Sequence, residues 1–457
     1  MDSSADVLVI GSGQAGVPLA TRLAKAGKRV VLFERGNLGG TCVNVGCTPT
    51  KTMVASARAA HVARNAARLG VHTGDVKVDL AAVVDRKDAI VARWRSGVER
   101  RVHGIDSLRV VRAHARFVAP RVIEAAGDRY SAPAIVLDVG ARALVPKVPG
   151  LESVPHLDNH TVMDLRELPR HLLVVGGGYI GCEFGQMFRR FGAQVTIVDH
   201  ATHLLDREDP EISTALESVF TSEGIALELG AAVASAKMSG NDVVLRLANG
   251  KELSGSHVLV AVGRRPNTDD LGCDAGGVAL DARGFVVTGD DYTTSAEGVY
   301  AVGDVDGGPQ FTHTAWDDHR LLFERLMGKP TRSRGARLIP FTAFTDPQVA
   351  GVGPSEREAR ERGLTFEVAT MPFGNIARAI EIDETAGIMK LLLDPATERV
   401  LGARIVGAEA GELIHMFVVL MQANASARAI VDVQCVHPSF AEGVQSLVMR
   451  LPRYALS

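Results

Sequence analysis

The sequence predicts an α/β fold, in which one strand–glycine turn–helix–strand unit occurs twice and a C-terminal α+β segment follows. Three observations carry this. The apolar run Asp6-Val-Leu-Val-Ile10 leads into Gly11, and helical spacing follows from Gly16 to Ala26. The same pattern returns at Leu172-Leu-Val-Val175, where Gly176 opens the second copy. Forty-seven glycines stand against two tryptophans in 457 residues, a balance suited to tight turns and close backbone approaches.

In the first copy, Gly27 is placed to end the helix and Arg29–Glu34 forms the second strand, which completes a βαβ unit. Residues 52–102 read as mostly helical, and residues 107–138 as short strands with turns at Pro120 and Gly127. Pro146, Pro149, Gly150 and Pro155 mark a linker. In the second copy the helix spans Gly176–Gly192 and the strand Gln194–Asp199. Gly328-Lys-Pro330 and the basic stretch Arg332–Arg337 form a second boundary. Strands at Gly387–Leu393 and Leu401–Val406 and an apolar helix near Ala410–Ala425 follow it. A chain of 457 residues is long enough for about three domains.

Composition narrows the function. Hydrophobic residues make up 46% and the net charge is −3, so neither nucleic acid nor an anionic membrane is expected as partner. Five cysteines, at 42, 47, 182, 273 and 435, are too few and too odd in number for a secreted disulfide scaffold. No CxxC pair or HExxH occurs, and no metal site is predicted. No run reaches the roughly 18 apolar residues of a membrane span, and no leader pattern precedes Asp6. The expectation is a cytoplasmic protein.

Gly11-Ser-Gly13-Gln-Ala-Gly16 lies between a strand and a helix. Glycines there let backbone N–H groups approach a pyrophosphate at the helix N-terminus, and Glu34 can accept from ribose hydroxyls. Gly176-Gly-Gly178-Tyr-Ile-Gly181 repeats the arrangement, with Asp199 as its acid. One such turn can be mere helix–strand packing. Two complete copies point to two dinucleotides and a relay between them.

After the first unit comes Gly39-Gly-Thr-Cys42-Val-Asn-Val-Gly-Cys47-Thr-Pro-Thr-Lys51. Two cysteines at this spacing read either as unrelated free thiols or as a redox pair. Zinc would need two further ligands, and none lies near. Thiols at a helix N-terminus beside Lys51 are expected to have lowered pKa values.

This string resembles the active-site motif of the class I flavoprotein disulfide reductases, especially their mercuric reductase-like and dihydrolipoamide dehydrogenase-like members, and the resemblance extends over the whole chain. It implies FAD, NADH or NADPH, and a redox-active Cys42–Cys47 disulfide that accepts electrons. Cys47 would lie nearest the flavin, and Cys42 would be the interchange thiol. Gly181-Cys-Glu183-Phe-Gly is similar to the segment in which the glutamate pairs with the motif lysine, here Lys51. Tyr179 is similar to the aromatic that shields the flavin. Val262-Gly263-Arg-Arg-Pro-Asn267 resembles the second-domain exit, and Tyr300-Ala-Val-Gly303-Asp304 the segment whose aspartate contacts the ribityl chain. Thr41, Ala115 and Gly140 complete the cofactor contacts the resemblance implies. His437-Pro-Ser-Phe-Ala-Glu442 is similar to the C-terminal His–Glu acid/base pair supplied by the partner subunit of a homodimer. It also reads as a capping box at a helix start, and the two readings are compatible.

The resemblance implies an FAD-binding domain made of residues 1–148 and 267–333, an NAD(P)H-binding domain at 149–266, and a dimerisation domain at 334–457. The acceptor is expected to be a small disulfide or a soft metal ion. A metal-ion or quinone reductase without disulfide exchange, and a thiol redox sensor, stay open. Two departures stand out. Asp138-Val-Gly140 replaces the usual Ala-Thr-Gly at the first-domain exit, and the tail Leu451-Pro-Arg-Tyr-Ala-Leu-Ser457 lacks the cysteine pair of mercuric reductases. Cys182 reads as helix packing, Cys273 as a thiol in an exposed turn, and Cys435 as a thiol near the active site. Met416 and Met421 read as dimer core.

Overall fold

The computed structural model describes residues 3–330 and 332–455. Contacts gather the chain into two compact units, each assembled from three stretches. The first comprises Met1–Thr52, Asp85–Leu144 and Gly263–Arg337, and the second comprises Met53–Val84, Val145–Val262 and Leu338–Ser457.

The first unit holds a five-stranded parallel sheet in the order Val299–Ala301, Ala134–Leu137, Val7–Ile10, Val30–Phe33, Leu108–Val111. The central strands Val7–Ile10 and Val30–Phe33 are buried along their whole length, which explains why both read as unbroken apolar runs. Helix Gly16–Lys25 ends as expected. Gly27 has φ +85°, its N–H donates to Ala24 O (3.0 Å), and Lys28 N–H donates to Leu23 O (3.1 Å), a Schellman ending. A smaller sheet of Ala115–Ala119, Val122–Ala125 and Asp128–Ser131 pairs antiparallel.

The second unit repeats the parallel arrangement with Ala226–Glu228, Gln194–Val198, His171–Val175 and His257–Val260. Its C-terminal part is a five-stranded antiparallel sheet, Phe341–Ala343, Gln348–Val352, Val400–Gly407, Ile388–Leu393, Glu367–Pro372, covered by helix Ala410–Gln422. Met416 and Met421 are partly buried against the core beneath that helix.

Buried charge fastens this sheet to the segment before helix Pro210–Ser222. The Lys390 ammonium sits among three carboxylates, Asp209 (2.9 Å), Glu356 (2.6 Å) and Glu211. Arg404 pairs with Glu208, and Arg190 bridges Glu223 (2.6 Å) and Asp346. Asp209, Glu211 and Glu356 are the one group among the described residues spaced to hold a metal ion, and Lys390 already supplies their positive charge. No helix among the described residues is long and apolar enough to cross a membrane.

Candidate active site

Both glycine turns have the geometry their sequences imply. Gly11 has φ +104°, and a Cβ there would meet Asp138 O at 2.1 Å. Gly176 has φ +113°, and its Cβ would meet Ala261 O at 2.4 Å. Gly16 and Gly181 are equally closed to a side chain, because a Cβ would lie 2.2 Å from Gly11 O and 1.8 Å from Gly176 O respectively. Around Gly178 there is open space. Helices Gly16–Lys25 and Tyr179–Phe191 start without a cap from their own N-cap residues and without an acid in the first turn, although the Gly16 N–H donates to the distant Asp138 carboxylate (2.6 Å). Helix N-termini behind glycine turns suit two pyrophosphates, so the residues present fit the expected cofactors.

The two acids occupy matching places. Glu34 accepts from Ser12 N–H (3.1 Å), Ser12 O–H (2.6 Å) and Gly36 N–H (2.7 Å). Asp199 accepts from Gly177 N–H (2.5 Å) and Ala201 N–H (2.8 Å), with His200 Nδ1 at 3.0 Å. His203 is held by Glu217 (3.2 Å).

The cysteine segment lies on the first glycine turn. A Cβ on Gly40 would be 2.7 Å from Gly13 Cα, so the two backbones touch there. Cys42 lies in helix Gly40–Asn44, and Cys47 is the first residue of helix Cys47–Asn65, with Lys51 one turn further on. The two thiols hydrogen-bond to each other, and Cys47 Sγ is 3.2 Å from Thr312 Oγ1. The expectation that both thiols have lowered pKa values fails for Cys42. Its pKa is raised, first by the hydrogen bond to Cys47 and then by burial, because charge on one sulfur opposes charge on the other. Thr312 carried no signal in the sequence, since it stands 265 positions from Cys47.

Asp304 is paired with Arg264 (3.2 Å), and burial raises its carboxyl. Gly140 has φ +66° and Gly263 φ +135°. The Gly140 carbonyl accepts from Asn267 N–H (3.0 Å), and the Gly263 carbonyl accepts from Leu144 N–H (3.0 Å). Thr41 is exposed, and Ala115 is buried at the start of its strand and offers a ligand backbone only.

In the second unit, the Glu183 carboxylate is buried and accepts from Phe344 N–H (2.8 Å). The Tyr179 ring lies 5.6 Å from that of Phe341. His437 is exposed, with Nδ1 3.0 Å from Glu442 Oε1. Glu442 also accepts from Ser439 N–H (2.9 Å), which is half of the capping box. The other half fails, because Ser439 Oγ is buried with no hydrogen-bond partner. The Ser439 N–H and His437 hold Glu442 below the usual carboxylate range.

Cys182 is buried and its thiol faces Gly177 O (3.3 Å). Cys273 is not in an exposed turn. It is buried under strand Ala115–Ala119, and burial pushes its thiol up to about 11. Cys435 is partly exposed, and its thiol is raised by burial and by Glu442.

Comparison with known proteins settles the class. Residues 5–318 match the family described as pyridine nucleotide-disulphide oxidoreductase, and residues 339–448 match its dimerisation domain. The chain belongs to this family. It is therefore an oxidoreductase of a family that uses FAD and NAD(P)H. It is 34% identical to the probable pyridine nucleotide-disulfide oxidoreductase RclA of Escherichia coli, over 96% of this chain and 98% of that one. It is 32% identical to a mercuric reductase of Staphylococcus aureus, over 97% of this chain and 82% of that protein. Dihydrolipoyl dehydrogenase of Thermus scotoductus is 33% identical over 99% and 98%. Among solved structures, the Cu(II) complex of RclA superposes with a TM-score of 0.90 at 32% identity, covering 98% of this chain and all of that one.

Proposed function

We propose that the enzyme passes electrons from NAD(P)H to the Cys42–Cys47 pair and on to a small disulfide or a soft metal ion. The observation that carries this reading is the mutual contact of the two thiols on a segment resting against the first glycine turn. Bound FAD would supply the two-electron link between nicotinamide and dithiol. The first turn, with Gly11, Gly13, Gly16 and Glu34, would hold it, helped by Thr41, Ala115, Gly140 and Asp304. Gly176, Gly178, Gly181, Asp199 and Gly263 would serve the nicotinamide cofactor, with Tyr179 shielding the flavin and Glu183 pairing with Lys51.

Cys47 would be the flavin-side thiol and Cys42 the one that meets the acceptor. His437 of the partner subunit would hold and return the proton of Cys42, kept in orientation through Nδ1 by Glu442. A homodimer is part of this reading, supported by the exposed apolar residues Ile380, Val419, Val433 and Val436. So is the division into residues 1–148 with 267–333, 149–266 and 334–457. A cytoplasmic setting is supported by the few, odd cysteines.

The soft-metal option is supported by the likeness to RclA, whose structure has been solved as a complex with Cu(II), and by thiolate affinity for soft ions.

Two measurements test the reading. Cys42→Ser should leave Cys47 as a thiolate beside FAD and give a long-wavelength absorbance band without reductant, and Cys47→Ser should not. Identical spectra with unimpaired disulfide turnover would refute the assignment. An acceptor screen should give sustained turnover with disulfides or Cu(II) and inhibition by Hg(II) in excess thiol. Many mercury turnovers, lost in Cys435→Ala, would make Cys435 the delivery thiol instead.

A further inference from the structure

A carboxylate lies directly beneath the turn that would receive FAD. Asp138 follows strand Ala134–Leu137, is 7% exposed, and accepts from Gly16 N–H at 2.6 Å. A Cβ on Gly13 would meet its Oδ2 at 2.7 Å, and one on Gly16 at 2.8 Å. Its Oδ1 would be 3.1 Å from a Cβ on Gly303. The side chain is thus clamped between the first glycine turn and the Gly303 segment.

The chain contains its own control. Asp138 N–H donates to Ile10 O and Gly11 N–H to Phe33 O. In the second copy, Ala261 N–H donates to Val175 O and Gly176 N–H to Val198 O. Asp138 and Ala261 also supply the carbonyls that face Gly11 and Gly176. They hold equivalent positions, so the turn closes equally well around an alanine. The acid is not required by the fold.

Burial raises the Asp138 carboxyl most, the Gly16 N–H bond opposes it, and the charged neighbours that act on it, Asp304, Asp318 and Glu34, all push it further up. The nearby cations are engaged elsewhere. Arg264 is on Asp304, and Arg337 is on Asp318, which also accepts from Tyr292 O–H and Gly303 N–H. Among the described residues, no cation forms an ion pair with Asp138. A pyrophosphate on this turn would add a further negative charge to a buried site without a counter-ion, where like charges act at low effective dielectric.

We propose that Asp138 is a proton-holding cofactor residue: the first turn retains FAD with Asp138 as the neutral acid, taking one proton from solvent as FAD binds, and releases FAD more readily as that proton is lost. The sign follows from linkage. The bound pyrophosphate favours the protonated form, so affinity is greatest at low pH and falls as pH rises between the proton affinities of the free and loaded turns, by about tenfold per unit. The inference rests on assigning FAD to the first turn.

The test is FAD release from the purified holoenzyme, followed by flavin fluorescence across pH, together with infrared detection of a protonated carboxyl C=O band. Wild type should lose FAD progressively as pH rises and show the band. Asp138→Asn, which keeps an acceptor for Gly16 N–H, and Asp138→Ala, which copies the second turn, should flatten the pH dependence and lack the band. A pH-independent wild type with tightly held FAD, a missing band, or an equally steep dependence in Asp138→Asn would each overturn the proposal. Purified protein that binds no FAD at any pH would instead overturn the flavin assignment itself.

Discussion

The two glycine turns share their backbone and differ in what lies under and beside them. Against Gly13 and Gly16 the first turn has the Asp138 carboxylate, and the equivalent position under the second turn is an alanine, Ala261. Beside the first, Glu34 turns its carboxylate onto Ser12 and Gly36. Beside the second, Asp199 binds Gly177 and Ala201 and meets His200, which is 83% exposed. Equal backbones therefore do not make equal sites. The turn sets where phosphate can approach, and the surrounding charges set under what conditions and with which ribose.

The largest expected effect separates the turns outright. Gly11→Ala should abolish retention of FAD, because its Cβ would be 2.1 Å from the Asp138 carbonyl. Gly176→Ala should retain FAD and lose its reduction by NADH. Gly178→Ala, with nothing within 4 Å of its Cβ, should stay within about tenfold of wild type, since one tolerated methyl costs little. Flavin content and anaerobic reduction by NADH read all three. If Gly176→Ala lost its flavin as well, the division of labour between the turns would be wrong.

His437→Gln acts downstream of both turns. Flavin content and the rate of NADH reduction should not change, while disulfide turnover falls by about 10²–10⁴-fold, the usual contribution of a positioned acid or base. A slower NADH half-reaction would place His437 elsewhere.

A smaller effect concerns the nicotinamide. Asp199 should favour a ribose hydroxyl over a phosphate, so kcat/KM should be higher for NADH than for NADPH. His203 is held by Glu217, while Arg207 nearby is exposed and works against this preference. Asp199→Asn should narrow the ratio by about tenfold, or ~1.4 kcal/mol. A strong NADPH preference in wild type would reverse this account of the second turn.

The smallest effect concerns Glu34. Glu34→Gln weakens charge-assisted bonds to Ser12 and Gly36, each worth about 1.5–3 kcal/mol when intact, but keeps an amide acceptor in their place. FAD affinity should fall only several-fold, as titration of the apoprotein would measure. Unchanged affinity would mean that Glu34 only braces the turn.

The parts that were legible in the sequence are local. A glycine turn, the helix behind it and the acid ending the next strand lie within one short stretch. Gly27 as a helix stop and the buried strands Val7–Ile10 and His171–Val175 followed from periodicity and turn chemistry alone. The His437–Glu442 contact is also local, but the pairing is implied by the family resemblance; the residues alone favour a capping box, of which only the Ser439 N–H half forms. What escaped was long-range polar contact. Asp138 meets Gly16 across 122 positions and Thr312 meets Cys47 across 265, and no pattern in either neighbourhood announces the partner. Gly and Asp around Cys273 suggest an open turn, while its burial depends on a distant strand.

Lys390, Arg404 and Arg190 have a consequence for how such a protein can change over generations. Each cation reaches from one stretch of the chain to acids on another, in surroundings almost closed to water: Lys390 and Asp209 are each 3% exposed, and Arg404 and Glu208 each 5%. A recombinant that inherited residues 338–457 from a parent without Lys390 and Arg404 would strand Glu208 and Asp209 as buried, unmatched anions, at about 3–5 kcal/mol per broken pair. That is a large share of an ordinary domain's stability. The nucleotide-binding and C-terminal halves can therefore be traded between lineages only together, or after both sides of each ion pair have been rewritten in step.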